Sequence, residues 1–474
     1  MPQQAGADDT QPLTVLPCRR ALLALPIALL LSACGSLPRI VPDMARSAPA
    51  PRIEGARGPL SAARSQQIIE GLRSGGKQTD VLDRHLALEQ AISDSPLLAG
   101  NKVSLLQNGP ATYAAMFAAI GAARDHINME TYILDDDEVG RQFADALIEK
   151  QRRGVQVNLI YDAVGAISTP REFFQRLRDA DIRVIEFNPV NPLTAKAGWD
   201  VNRRDHRKLL IVDGKVAFLG GINISSVYSS GSMVGRQPTG EPGDKQPWRD
   251  THLQIEGPAV AELQKLFLDT WAKQKGEALT ARNFFPVLTS VGPEVVHSIG
   301  SSPDDAYSLI YATLISAINS AEREVLLTNA YFVPDPQLVA CLKDAVARGV
   351  NVQLVLPART DSALVFHAGR SHYSELLRGG IKIYERKNAL LHAKTALIDG
   401  VWSTVGSTNL DWRSFLHNQE LNAVVLGAEF GALMRKAFDD DVAKSQQITL
   451  EEWENRSLDL RVKEMFARLW QYWL

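Results

Sequence analysis

One unusual string occurs twice in this chain. His206-Arg207-Lys208 is followed by Leu-Leu-Ile-Val, Asp213-Gly214, and then Gly220-Gly221-Ile222-Asn223. His392-Ala393-Lys394 is followed by Thr-Ala-Leu-Ile, Asp399-Gly400, and then Gly406-Ser407-Thr408-Asn409. The common spacing is His-x-Lys-x4-Asp-x6-Gly-(Gly/Ser)-x-Asn, and the copies lie 186 residues apart. Offsets shared over so many positions mark a duplicated unit, so the chain must fold as two like halves. Tyr113 to Ile133 parallels Tyr311 to Val333, each an amphipathic helix running into a short apolar strand. Arg153 to Leu159 parallels Arg348 to Leu354, with glycine after a cationic last helical turn and then an alternating strand. Ile182 to Glu186 parallels Ile381 to Glu385. Each half reads as strand, helix, strand, helix, strand and a signature hairpin. That is an α/β sandwich with helices covering a mixed sheet. Copy one is placed at 98–278 and copy two at 279–474. A length of 474 residues agrees, being too long for one ordinary core.

Leu209 to Val212 and Val216 to Leu219 read as strands, as do Thr395 to Ile398 and Trp402 to Val405. The Asp-Gly pair between them signals a tight turn. Asp213 and Asp399 therefore count with the signature, but read as turn formers rather than proton-transfer groups. His206 and Lys208 stand two apart on an extended segment, so their side chains leave one face; His392 and Lys394 do the same. A lone pair of this kind would be a solvated edge strand. Two copies with matched Gly and Asn residues instead suggest a phosphodiester site built from two halves.

The chemistry fits those residue types. A phosphodiester carries a negative charge, and its leaving group is a poor alkoxide. Cleavage needs a nucleophile, a proton for the departing oxygen, and cations around the phosphoryl oxygens. A neutral imidazole can attack phosphorus while a second, as imidazolium, protonates the leaving oxygen. Lys208 and Lys394 can hold the phosphate without metal. Asn223 and Asn409 add hydrogen bonds, helix capping being their plainer reading. Gly220, Gly221 and Gly406 permit close backbone approach. The other nitrogen of a nucleophilic histidine needs an acceptor. Glu420 and Asp250 are the candidates, with a surface carboxylate as the alternative for each. His252 stands two residues from Asp250 and is not separable from it here.

The first residues read as a targeting segment. Arg19-Arg20 precedes an apolar run from Ala21 to Leu31 and then Ser32-Ala33-Cys34-Gly35, which describes a secretory signal over 1–33. The run is too short to span a bilayer. Leu31-Ser32-Ala33-Cys34 resembles the bacterial lipobox, which implies lipidation of Cys34. Gly35, in place of the Asp that retains such lipoproteins at the inner membrane, implies the periplasmic face of the outer membrane. Residues 1–18 are a long lead-in, leaving room for a later start. Residues 34–79 are rich in Pro, Ala, Arg, Gly and Ser and read as a flexible tether. Cys18, Cys34 and Cys341 form no Cys-x-x-Cys pattern, and Cys341 reads as a core cysteine on a helix. A net charge of -3 gives no basic coat for nucleic acid. The interval 227–248, rich in Gly, Ser and Pro, reads as an insertion in copy one forming a loop near the site.

The paired signatures resemble the phospholipase D (HKD) superfamily over nearly the whole body. The second half is most similar to bacterial cardiolipin synthases, through Asn329 to Asp335, Ile383-Tyr384-Glu385, Leu391 to Thr395, Val405 to Asp411, Arg413-Ser414-Phe415 and Asn418 to Leu421. In copy one, Phe218 to Asn223 and Ile255 to Pro258 fit as well. The resemblance implies two copies packed face to face around one shared site. It implies a covalent phosphohistidine on His206, with His392 as general acid and later base. It implies crossed carboxylates, Glu420 orienting His206 and Asp250 orienting His392, and neither metal nor other cofactor. Ser407 is expected to contact phosphate, so Gly221 at its place in copy one removes one such hydroxyl. Multi-span synthases carry N-terminal transmembrane helices, for which this sequence offers no counterpart. The expected activity is phosphatidyl transfer between glycerophospholipids to make cardiolipin, with phosphatidylglycerol and also phosphatidylethanolamine as candidate substrates and a lipid anchor holding the site at the membrane. The alternatives are a phospholipase D using water, a nuclease, which the acidic balance opposes, and an inactive lipid-binding lipoprotein, which the intact signatures oppose.

Overall fold

Apolar strands at matched intervals give each half the same sheet. The computed structural model describes residues 37, 51–73, 81–93, 95–190, 200, 202–232 and 248–474. In copy one, His126–Thr131, Gln156–Asp162 and Arg183–Phe187 run parallel. Leu209–Val212, Val216–Gly220, Thr251–Glu256 and Leu97–Gln107 continue the sheet antiparallel. Copy two repeats this with Glu324–Asn329, Asn351–Pro357 and Lys382–Arg386 parallel. Lys394–Ile398, Trp402–Gly406, Asn418–Leu426 and Glu294–Ser301 then follow antiparallel. Glu294–Ser301 also pairs with Leu97–Gln107, so the two sheets are one.

The halves also share a core. Leu219 and Leu253 of copy one lie in the same buried cluster as Val405 and Ala423 of copy two. Helices Ala259–Lys273 and Ala428–Val442 add Phe267 and Phe430 to it. Burying an apolar side chain of this size stabilises by about 1.5–3 kcal/mol, so the interface between halves is as much core as either half's interior. A second cluster lies within copy one, where Phe143, Phe174 and Leu177 of its helices pack on Val157 and Leu159 of its sheet. Cys341 is buried on helix Pro336–Ala347, where it was expected.

Each half holds more than the sequence reading gave it. Leu97–Gln107 precedes helix Asn108–Ala122 and Glu294–Ser301 precedes helix Leu309–Asn319, ahead of the three parallel strands, and a strand and helix close each unit after the hairpin. Copy two goes on through strand Ser445–Ile448 and helices Leu450–Glu454 and Leu458–Arg468.

The tether reading of 34–79 needs correction over 51–73. Ile53–Gly55 pairs in parallel with the start of Leu97–Gln107. Helix Ala62–Gly71 follows, capped by the Ser61 hydroxyl accepting from Arg64 N–H at 3.3 Å. Ile53, Ile69 and Leu72 are buried. Composition suggested a linker, but three apolar residues suffice to hold this segment when a sheet edge receives them. Residues 1–33, Cys34 and the rest of the proposed tether outside 51–73 lie outside the described residues. So do 233–247 of the proposed insertion. Among the described residues no helix is long and apolar enough to cross a membrane.

Candidate active site

The two His-x-Lys segments lie at the carboxyl ends of the parallel strands, where each enters its hairpin. Short segments then cross between halves. Arg204–Asp205 pairs in parallel with Asn418–Gln419, and Trp248–Arg249 with Leu390–Leu391. His206 N–H donates to the Gln419 carbonyl at 2.9 Å, and His392 N–H to the Arg249 carbonyl at 2.8 Å. This exchange sets each half's carboxylate against the other half's imidazole. His206 Nδ1 lies 3.0 and 3.1 Å from the Glu420 oxygens. His392 Nδ1 lies 2.7 Å from Asp250 Oδ2. With Nδ1 donating to a carboxylate, Nε2 is the nitrogen left for chemistry.

Lys208 and Lys394 each donate to the carbonyl of the preceding histidine at 2.5 Å. The Lys208 ammonium also lies 5.2 Å from the centre of the Tyr132 ring. Burial drives Lys208 down to about 7; Glu420 opposes the fall and Lys394 adds to it. Burial likewise brings Lys394 down to about 8 against the pull of Asp250 and Glu420.

The histidines differ. Burial holds His206 well below the ordinary imidazole value, and Lys208, Lys394 and His392 push it the same way. His392 is lowered by burial and Lys394, but Asp250 pulls it back through charge and hydrogen bond. The carboxylates differ too. Burial raises Glu420 to about 7, against Lys208, Ser407 and Asn418. Burial also works to raise Asp250, but His392 and Lys394 overcome it and leave Asp250 below its ordinary value. The His206 side of the cleft is therefore the neutral side, and the His392 side holds the ionised carboxylate. His206 feels Lys394 and His392, and His392 feels Lys208, so all four groups share one cleft.

Several expected site residues have other work. Ser407 Oγ donates to Glu420 Oε2 at 2.5 Å and accepts from Leu421 N–H at 3.0 Å. It steadies the carboxylate under His206 instead of facing a phosphate. A side chain at Gly221, its counterpart, would meet Asp250 Oδ1 at 2.2 Å. Copy one thus lacks the hydroxyl because its shorter carboxylate occupies that space. Asn223 Oδ1 accepts from Ile133 N–H at 3.2 Å, and its Nδ2 donates to the Tyr228 hydroxyl at 2.8 Å. It is buried and reaches His392 through Tyr228, whose hydroxyl lies 3.3 Å from His392 Nδ1. Asn409 is buried, with Oδ1 unpartnered among the described residues.

Asp213 and Asp399 are structural, as their turn position suggested, and do not belong with the catalytic groups. Asp213 and Gly214 have φ of 52° and 62°, Asp399 and Gly400 of 51° and 70°, the left-handed pair a tight hairpin requires. The Asp213 carboxylate accepts from the N–H groups of Arg124, Asp125 and His126 at 2.9, 2.8 and 3.0 Å. Asp399 does the same for Glu322, Arg323 and Glu324. Each lies a full strand from its lysine, roughly 16 Å at the usual rise. The choice between Asp250 and His252 also resolves. His252 is fully buried against Gly220, and neither ring nitrogen meets a hydrogen-bond partner among the described residues.

The structure adds residues that sequence reasoning passed over. The Tyr132 ring lies 5.0 Å from His206, and the Trp248 and Tyr331 rings lie 5.2 and 6.5 Å from His392. Tyr132 and Tyr331 hold equivalent places in the repeat, and that equivalence was the available signal. Arg207, between His206 and Lys208, faces the other way. Its Nε donates to the Glu420 carbonyl at 3.2 Å and its Nη1 to Thr270 Oγ1 at 2.7 Å, so it ties the halves together behind the site.

Comparison with known proteins gives a consistent picture. Residues 116–230 and 314–442 match the family described as cardiolipin synthase, PLD-like domain. The chain is 35% identical over 388 residues to a cardiolipin synthase of Geobacillus kaustophilus, covering 81% of this chain and 74% of that one. It is 36% identical over 365 residues to cardiolipin synthase A of Pseudomonas fluorescens, covering 75% and 72%. The solved phosphatidylserine synthase of Haemophilus influenzae shares the fold, with a TM-score of 0.58 at 13% identity over 82% of this chain and 100% of that one.

Proposed function

The chain belongs to the cardiolipin synthase group of the phospholipase D-like family, and we propose that it is a phosphatidyltransferase joining two glycerophospholipids through a phosphohistidine. The observation that carries this is the crossed pairing, in which each imidazole is held by the other half's carboxylate in one cleft with two lysines. His206, kept neutral, attacks phosphorus through Nε2. The bond from phosphorus to the head-group oxygen breaks, and His392 gives that oxygen a proton. A hydroxyl of a second lipid then returns a proton to His392 and attacks phosphorus, releasing His206. With phosphatidylglycerol as both donor and acceptor the products are cardiolipin and glycerol. With phosphatidylethanolamine as donor, ethanolamine leaves instead. Lys208 and Lys394 offset the phosphoryl charge in both steps.

The lower value of His206 supports its role as nucleophile, and the ionised Asp250 beside His392 supports His392 as proton carrier. We further propose that Cys34 carries lipid and holds the enzyme at the periplasmic face of the outer membrane. The support is the sequence Leu31-Ser32-Ala33-Cys34-Gly35.

Purified protein given phosphatidylglycerol in EDTA, with or without phosphatidylethanolamine, should form cardiolipin. Phosphatidic acid as the sole product would show water to be the acceptor. Quenched reactions with labelled lipid should leave label on the protein, and His206→Ala should remove it. Label that survives in His206→Ala but vanishes in His392→Ala would reverse the two roles.

A further inference from the structure

The helix Leu458–Arg468 near the C-terminus is amphipathic the wrong way round for a packed protein. Its inner side is formed by the half-buried Leu460 with Glu464 and Ala467. Ala467 packs on Val333 and Ala368, and the buried Glu464 pairs with Arg456 at 2.7 Å. Its outer side carries Leu458, Val462, Met465 and Phe466, and the same stripe runs on past the helix end through Leu469 and Trp470. The spacing i, i+4, i+7, i+8, i+11, i+12 puts all six on one face. They are far from buried, Leu458 being 75%, Met465 66% and Leu469 76% exposed. At the helical turn angle, the exposed Arg461 and Arg468 fall along one border of the stripe; along the other lie the exposed Asp459 and Lys463, paired at 3.6 Å. Tyr472 and Trp473 follow in the last turn, with Tyr472 5.6 Å from the Trp412 ring.

The chain that follows the stripe packs beside the site. The Leu474 carbonyl accepts from Arg413 N–H at 2.9 Å, and Arg413 is close enough to His206 to act on its charge. The neighbouring helix Ala363–Arg370 presents exposed Leu364, and the loop before it carries Asp361, which accepts from the Tyr331 hydroxyl beside His392. On the corresponding loop of copy one, packed against Tyr132, Ile167 is 71% exposed.

We propose that this helix is an interfacial helix that seats the mouth of the cleft on the phospholipid bilayer. The apolar stripe enters the acyl boundary, while Arg461, Lys463 and Arg468 lie at phosphate level and the terminal aromatics at the head-group belt. Lipid head groups then reach His206 and His392 along the membrane surface. This deepens the reading above and rests on it for the substrate. A bilayer suits the stripe better than a second copy of the chain. Arg461 and Arg468 line one border, and a two-fold contact along it would set them against their own kind.

The test uses the full chain and vesicles of phosphatidylglycerol and phosphatidylethanolamine. Backbone amides of 458–470 should exchange about tenfold more slowly with vesicles present, while helix Glu138–Arg152 is unchanged. This readout needs no turnover, so it survives failure of the phosphatidyl-transfer reading. The triple variant Val462→Glu, Phe466→Glu, Leu469→Glu should lose that protection. It should also lose about tenfold in turnover of vesicle lipid, yet handle monomeric short-chain phosphatidylglycerol as the parent does. Three results would overturn the proposal: exchange indifferent to vesicles, protection that grows with protein concentration in their absence, or a triple variant as fast as the parent on vesicles.

Discussion

Replacing Asp250 by asparagine should move the pH dependence of the reaction as well as its rate. Asp250 is fully buried, and its Oδ2 lies 2.7 Å from His392 Nδ1. Burial and Lys394 lower His392, and the Asp250 charge is what raises it. Asparagine keeps the shape and removes the charge. A buried charge-assisted hydrogen bond is worth about 2–3 kcal/mol. At 1.36 kcal/mol per pKa unit, His392 should fall by about 1.5–2.2 units. With His392 as the proposed proton donor to the leaving oxygen, its protonated form is the active one. The high-pH limb of kcat/KM should therefore shift toward acid by that amount, with a loss of about 30- to 150-fold on the alkaline side. Glu420→Gln is the comparison. Burial has already raised Glu420 to about 7, so near neutrality much of its charge is absent before the substitution. Its cost should be smaller below pH 7 and grow above it. The assay is initial-rate transfer from labelled phosphatidylglycerol between pH 5 and 9. An unmoved high-pH limb in Asp250→Asn, or an equal shift in Glu420→Gln, would refute the division of labour between the two carboxylates.

The lysines predict a rise in KM for anionic lipid as pH climbs from about 7 to 9, because Lys208 near 7 and Lys394 near 8 shed their protons over that range. A KM flat from pH 7 to 9 would count against their role in holding phosphate. Asp213→Ala should cost about 2 kcal/mol in urea unfolding, since three N–H groups lose their acceptor, with kcat near that of the parent. Glu89→Gln should cost about 3 kcal/mol. Glu89 is fully buried, takes a hydrogen bond from His297, lies 2.7 Å from His85 Nε2, and accepts from Trp402 Nε1 at 3.3 Å. Burial works to raise its carboxyl, but the two histidines outweigh that and hold it below the ordinary value. A depressed carboxyl contributes its stability above the unfolded value of about 4.3 and loses it as pH falls toward the folded one. Unfolding at pH 3 to 7 should show that loss in the parent and not in the variant.

Much of the site was legible because repetition is itself information. His206, Lys208, His392 and Lys394 could be singled out because chance does not repeat such offsets. Alternating apolar residues then placed them at the ends of strands. Glu420 and Asp250 were selected only as acidic residues downstream of each signature. The roles of Ser407 and Asn223 were not legible, because a hydroxyl or amide near a phosphate site looks the same in sequence whether it faces the substrate or a neighbouring carboxylate. The 51–73 segment misled for a similar reason. Its composition is that of a linker, and only the free edge of Leu97–Gln107 makes a strand of Ile53–Gly55.

By itself the sequence determined the duplication, the parallel strands and signature hairpin of each half and the candidate reactive side chains, since periodicity and residue type act locally. Tertiary structure decided which carboxylate meets which imidazole. Two short segments cross between halves; burial is common to all four groups, and the charges and hydrogen bonds set around them separate His206 from His392 and Glu420 from Asp250. It also decided that the helix Leu458–Arg468 turns its apolar side outward. A hydrophobic stripe is a property of the chain, whereas the direction it faces depends on what the rest of the fold leaves for it to cover.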